Sequence, residues 1–116
     1  MKNINDLKYN NKDLITVVTQ DFESKKILMV AYAKKEQIIK TINTKKATYF
    51  SRSRNKEWVK GETSGHYQEV IEVKVDCDRD AVLYIVKQIG VACHTGEFTC
   101  FYRSVNEKGE YEDDRE

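Results

Sequence analysis

The sequence has no proline and only five glycines. No linker of the Pro/Gly-rich kind therefore divides it, and it contains neither a low-complexity segment nor an internal repeat. Its longest apolar run, Ile27 to Ala33, falls far short of the ~18 residues a membrane-spanning helix needs. Neither sign of charge is in excess, with 20 Lys and Arg against 19 Asp and Glu. That balance argues against a dedicated nucleic-acid binder and against a polybasic membrane anchor. The opening residues, MKNINDLKYN, hold no apolar stretch, so no signal peptide is expected and the expected location is cytoplasmic. Cysteine is scarce and odd in number, at three. A secreted disulfide framework uses an even count, whereas in a reducing compartment such residues are metal ligands, catalytic thiols or core residues. There is no C-x-x-C pair of the thiol redox proteins, and neither H-x-E nor P-C-x-x-C of the zinc nucleobase deaminases.

What is present reads as one small domain spanning residues 1–116, with a loose polar leader at 1–12 and a solvated, charged tail at 104–116. A domain of this size buries a modest core, so dimerisation is an easy way to gain buried area. Leu14 to Gln20 is β-branched and reads as a strand, hairpin-paired with Ile27 to Ala33. The unbroken apolar character of the second run suggests burial on both faces. Ile38, Ile39 and Ile42 recur at helical spacing between Lys34 and Thr44, giving one amphipathic helix. Ala47 to Ser53 returns to a strand, and Trp58 to Lys60 starts a short return strand. His66 to Cys77 alternates, with Ile71, Val73, Val75 and Cys77 on one face and Glu72, Lys74 and Asp76 on the other. Ala81 to Gln88 is ambiguous between helix and strand, its β-branched content leaning to strand. Cys100 to Arg103 reads as a short strand. The expected fold class is α+β: a small, mostly antiparallel β domain with one main helix.

Three groups could carry chemistry. Cys77, Cys93 and Cys100 offer soft donors; three thiolates leave a tetrahedral zinc one open position, as a catalytic site requires. His94, next to Cys93, is better placed as a proton carrier than as a fourth ligand, and His66 is a second imidazole near a Gly-containing loop. Asp76, Asp78 and Asp80 lie ~7 Å apart on one face if the strand continues through them, and such oxygen donors suit magnesium or calcium. They do not make an EF-hand loop, because Ala81 stands where glycine is required. A solvated acidic turn is the competing reading. Ser51, Arg52, Ser53 and Arg54, with Trp58 and Lys60, form a basic strip in which Arg52 and Arg54 could fork around phosphate oxygens. The loop Gly61–Gly65 could add backbone and hydroxyl donors. An exposed edge strand protected by charge explains the strip equally well.

Taken together, the runs Ser51-Arg-Ser-Arg54, Trp58-Val-Lys-Gly-Glu-Thr-Ser-Gly-His66, Asp76-Cys-Asp-Arg-Asp80 and Ala92-Cys-His-Thr-Gly96, ending in Cys100-Phe101, strongly resemble the phosphoribosyl-AMP cyclohydrolases of histidine biosynthesis. The resemblance covers about residues 14–103, and Gln20-Asp21 with Ile27 to Tyr32 also resembles the family. It implies an enzyme that opens the adenine ring of 1-(5-phosphoribosyl)-AMP at the N1–C6 bond, using a zinc-activated water with magnesium assisting. It implies an intertwined homodimer with zinc at the interface, Cys77 of one subunit joining Cys93 and Cys100 of the other, and magnesium on Asp76, Asp78 and Asp80. His94 is the expected catalytic proton carrier, with His66 and Glu62 as the other possible bases. Ser51, Arg52, Ser53, Arg54, Trp58, Lys60, Gly61, Glu62, Ser64 and His66 are the expected substrate contacts. Glu97 departs from the family, which often carries a basic residue there. Some relatives are fused to the pyrophosphohydrolase that makes their substrate. The alternative from another class is a zinc-stabilised RNA-binding module without catalytic activity, which should show a basic excess and stacking motifs.

Overall fold

The architecture is built around an interior strand, β1 (Ile15–Asp21), which pairs on both sides. The computed structural model describes residues 1–112; the remainder of the expected tail, 113–116, lies outside the described residues. β2 (Ile27–Ala33) runs antiparallel to β1, as the hairpin reading expected, and β6 (Ala81–Gln88) runs parallel to it on the other side. β5 (Gln68–Val75) completes a four-stranded sheet of order β2-β1-β6-β5. Helix α1 (Lys35–Thr44) and a two-stranded ribbon, β3 (Thr48–Ser51) with β4 (Lys56–Val59), complete the structure. The fold is α+β, with one α-helix among the described residues and mostly antiparallel pairing. The ambiguity at 81–88 resolves as a strand.

Alternation sets the core. Ile15, Val17, Thr19 and Asp21 of β1 point inward, as do Val82, Tyr84 and Val86 of β6. They meet Leu28, Met29 and Ala33 of β2 and Tyr49 of β3. β2 is not buried on both faces as expected, because Ile27 and Val30 are exposed. α1 starts where Gln37 accepts the Lys34 N–H at 2.8 Å, and it stops at Lys45, whose φ of 64° is left-handed. Its inward stripe is Gln37, Ile38 and Thr41, not the expected Ile38, Ile39 and Ile42; the last two face out. Thr41 wins an inward place because its hydroxyl accepts the Thr48 N–H at 3.0 Å and donates to Gln37 O at 2.8 Å, with the Tyr84 hydroxyl 3.2 Å away.

Three further expectations change. Ile71 stands at a bulge in β5 between Val70 and Glu72, which hands the inward position to Val70 and leaves Ile71 half exposed, at 50%. The extra residue reverses the facing of what precedes it, which simple alternation does not foresee. Residues 100–103 form no strand; Cys100 is tied to β2 by one backbone bond, N–H to Leu28 O at 2.7 Å. The leader is not loose. Leu7 is buried in the core, Tyr9 packs against it, and a 3-10 turn, Ile4–Asp6, is capped by Asn3.

A chain of polar side chains crosses the interior. The Tyr49 hydroxyl bonds to Thr19 and donates to Gln68 Oε1, and Gln68 Nε2 donates to Gln88 Oε1 at 2.9 Å. Tyr49, Thr19 and Gln68 are fully buried. Removing one member leaves the buried polar atoms it touched without their partner. Tyr49→Phe should therefore lower unfolding free energy by ~1–3 kcal/mol, read as a shifted urea midpoint at unchanged slope. A shift under a few tenths of that would show that the network relaxes around the loss.

Candidate functional site

Two groups of potential ligands sit at opposite ends of the β5–β6 hairpin. At one end, the chain leaves β5 at Val75 and turns through residues 76–80 before β6 begins. Of the two readings, continued strand and acidic turn, the chain takes the turn, so the aspartates gather by chain reversal. One oxygen each of Asp76, Asp78 and Asp80 lie within 4.8 Å of one another, all on exposed residues. Asp76 Oδ1 also accepts the backbone N–H groups of Asp80 at 3.0 Å and Ala81 at 3.2 Å. Hydrogen bonds with Asp78 and Asp76, then their charges, push Asp80 up to about 6. Asp76 is held below the ordinary carboxylate range: its slight desolvation is outweighed by the Ala81 and Asp80 hydrogen bonds. Three carboxylates this close share a proton or take a cation, and hard oxygen donors fit magnesium, calcium or manganese.

At the other end lies the thiol pair. The Cys93 N–H donates to Glu97 O at 3.1 Å and the Gly96 N–H to Cys93 O at 3.0 Å, closing a tight turn. Ala92 N–H to Phe98 O brings the chain back, so Cys100 meets Cys93. Cys93 is buried and its sulfur accepts the Thr95 hydroxyl at 3.0 Å. Partial burial of the thiol, together with Cys93 beside it, pushes Cys100 up to about 11, against the pull of the Lys60 ammonium. Partial burial lowers the Lys60 ammonium, and the two thiols draw it back up. A soft cation would let both sulfurs ionise, and thiolate donors suit zinc.

Cys77 does not join this pair within one chain. It is exposed in the turn before β6, whereas Cys93 follows β6. The intervening strand spans ~25 Å. Among the described residues, the aspartates are the one group of three or more metal-ligating side chains that converge.

The remaining expected residues divide. Ser51 ends β3, and Arg52, Ser53 and Arg54 form the turn to β4, so the two arginines do not share a strand face. Arg52 stacks over the Tyr32 ring at 3.9 Å. Arg54 is exposed and donates its backbone N–H to Ser51 Oγ at 3.3 Å. Ser51, Arg52, Ser53 and Trp58 line one open hollow of about 610 Å³ with Lys12, Tyr32 and Phe50. Trp58 contacts Tyr49 at 4.9 Å between ring centroids. Lys60 instead faces the thiols. Glu62 and Ser64 are exposed on the loop from Gly61, and Ser64 Oγ accepts the His66 N–H at 3.1 Å. His66 is half-buried, with its ring so close to Gly90 that a Cβ there would lie 2.5 Å from His66 Cδ2. It thus sits against the segment leading to Cys93. His94 is exposed.

Sequence reasoning missed Tyr32 as the platform for Arg52 and Gly90 as the seat of His66. Only the scarcity of glycine hinted at the second.

The fold and the site define a class: a small α+β protein that presents carboxylates and thiols at the two ends of one hairpin. A family model for phosphoribosyl-AMP cyclohydrolase matches residues 29–102. A phosphoribosyl-AMP cyclohydrolase of Methanosphaera stadtmanae is 52% identical over 108 residues, covering 90% of this chain and 84% of the relative. Another, of Archaeoglobus fulgidus, is 55% identical over 98 residues, covering 84% and 91%. A histidine biosynthesis bifunctional protein of Deinococcus radiodurans is 52% identical over 107 residues; the match takes in 92% of this chain but 49% of that relative's length. The chain belongs to the phosphoribosyl-AMP cyclohydrolase family, a family of hydrolases. No helix among the described residues is long and apolar enough to cross a membrane.

Proposed function

We propose that the chain hydrolyses the N1–C6 bond of the adenine ring of 1-(5-phosphoribosyl)-AMP in histidine biosynthesis, as a cytoplasmic homodimer with zinc at the subunit interface and magnesium on the aspartate turn. The observation that carries this reading is the split thiol set: Cys93 and Cys100 adjoin, and Cys77 lies at the far end of the hairpin. A three-thiolate site then closes only when Cys77 comes from a second copy. Exposed apolar side chains, Val30 on the outer face of the sheet and Val75 on the opposite one, leave apolar surface for a second copy to bury.

When bound, zinc would supply a water of lowered pKa at the open coordination position. Cys93 and Cys100 would hold it, and the Lys60 ammonium offsets the negative charge the thiolates bring. His94, exposed beside Cys93, takes and returns the proton at its imidazole; His66 is the second candidate, with its ring fixed on Gly90. Arg52, stiffened by stacking on Tyr32, offers its guanidinium to a phosphate, and Ser51 and Ser53 add hydroxyls. Trp58 gives the same hollow an aromatic surface, and Arg54, on the turn beside it, is a second cation. Asp76, Asp78 and Asp80 would hold magnesium. The RNA-binding alternative is not favoured, because the chain sits in a hydrolase family.

Subunit complementation tests the shared site. Cys77→Ser and Cys93→Ser proteins should each be inactive. Mixing and reassociating them should restore about one quarter of wild-type turnover, since half the random dimers are mixed and each carries one intact site. No recovery from a mixture shown to exchange subunits would rule out ligands shared between copies.

A further inference from the structure

We propose that the N-terminal segment is a strap that pre-forms the Asp76–Asp80 turn for a divalent cation, with Arg79 as the positioning residue that couples strap to turn. This rests on the cation reading of the turn given above. The strap itself is built from direct contacts. The Lys8 N–H donates to Arg79 O at 2.7 Å, and Arg79 Nη1 donates to Asp6 O at 3.4 Å. Arg79 is thus held from its backbone and from its side chain by residues more than seventy positions away. Leu7, between those two contacts, is buried in the core and anchors the segment. The 3-10 turn before it is closed reciprocally by Asn3 and Asp6, and the Tyr9 hydroxyl donates to Ile4 O at 2.9 Å.

The turn needs such a hold. Its three carboxylates repel one another at this spacing, and Arg79 adopts a left-handed φ of 65°, which a residue with a side chain adopts at a cost. Asp76 ties the two ends of the turn together through Asp80 and Ala81; the strap ties its middle. Arg79 is the one cation within the run Asp76–Asp80. Among the described residues its guanidinium makes no ion pair with those aspartates and is spent on the strap's carbonyl. The carboxylates therefore stay available to an outside cation while remaining gathered. A turn released from the strap would have to be reordered on binding, and ordering residues weakens affinity.

Manganese serves as the probe, titrated into the full-length, zinc-loaded protein with free Mn²⁺ followed by electron paramagnetic resonance. Leu7→Ala should weaken Mn²⁺ binding ~tenfold, with Leu7→Ile restoring it and zinc content unchanged. Arg79→Gly should also weaken binding, although it removes a positive charge beside the site and relieves the left-handed φ. Charge alone would make that variant bind more tightly, so the sign separates the strap from simple electrostatics. It also keeps the test open if Leu7→Ala does not fold. Wild-type affinity, or better, in a folded Leu7→Ala and in Arg79→Gly overturns the strap. A wild-type protein with no saturable Mn²⁺ site overturns the cation reading itself, before any variant is compared.

Discussion

Zinc and turnover are expected to disappear together from a Cys93→Ser variant. The exchange is nearly isosteric, so packing around a residue that is buried, at 7% exposure, is hardly disturbed. What changes is the donor. A serine hydroxyl does not ionise near neutrality and is a hard oxygen, whereas zinc at a site of this kind is held by thiolate. Cys100 alone then remains in the half-site, its thiol already pushed up to about 11 by burial and by its neighbour. Losing a mere supporting bond around a metal ligand typically costs about 10–100-fold in affinity; losing one of three ligands should cost at least ~100-fold. Metal content by mass spectrometry and turnover of 1-(5-phosphoribosyl)-AMP on the same sample give the result, with circular dichroism to confirm the fold. A variant that keeps its zinc and its rate would remove Cys93 from the site and the proposed chemistry with it. One that keeps zinc but loses rate would mean the metal sits elsewhere.

A second large effect is expected at Gly61, and Gly65 provides its control. Both glycines have left-handed φ, 87° and 81°. Around Gly65 nothing lies within 4 Å of where a Cβ would stand. Alanine there should cost only the unfavourable backbone conformation, ~1–2 kcal/mol. At Gly61 the same Cβ would lie 2.4 Å from His66 C and Tyr67 N and 2.6 Å from His66 O. Those are backbone atoms, so no rotamer change relieves the clash. Overpacking adds ~1–3 kcal/mol to the conformational cost, giving Gly61→Ala a loss of ~2–5 kcal/mol against ~1–2 for Gly65→Ala. The displaced backbone also carries His66, whose ring rests on Gly90, so the variant should lose turnover beyond its loss of stability. Urea unfolding of the two variants side by side decides the matter. Equal losses would mean that the approach of the 66–67 backbone is not what requires glycine at 61.

Much of this architecture is readable in the sequence, and most of the misses share a cause. The β1–β2 hairpin and the existence of α1 follow from local pattern, because each element's own residues dictate its period, whereas 81–88 stays ambiguous between helix and strand until its pairing with β1 and β5 is seen. That Cys93 and Cys100 belong together comes from the family resemblance rather than from their spacing. Legibility ended wherever a distant partner decided the outcome. The bulge at Ile71 depends on how β6 presents Val86 and Ile85. The aspartate run is a local exception: strand and acidic turn are both open readings, and the turn forms because Asp76 accepts the Asp80 and Ala81 amides four and five positions on. Residues 1–12 looked loose because their polar composition hides one anchor, Leu7. Arg52 was expected to fork with Arg54; its position is instead set by Tyr32, twenty positions earlier in the chain.

The parallel pairing of β1 with β6 has a consequence for how the protein comes into being. Thr16 pairs with Ala81 and Asp21 with Val86, so each pair in that ladder joins residues 65 positions apart. On a ribosome, β1 and β2 emerge early and can form their hairpin at once. The other edge of β1 then waits, with its amides and carbonyls unpaired, until β6 has been made and released. An unpaired edge carrying Val17 and Ile15 invites association with another nascent chain, and long-range closure of this kind is slow. Synthesis that stalls between β2 and β6 should therefore yield aggregate rather than a folded half-protein.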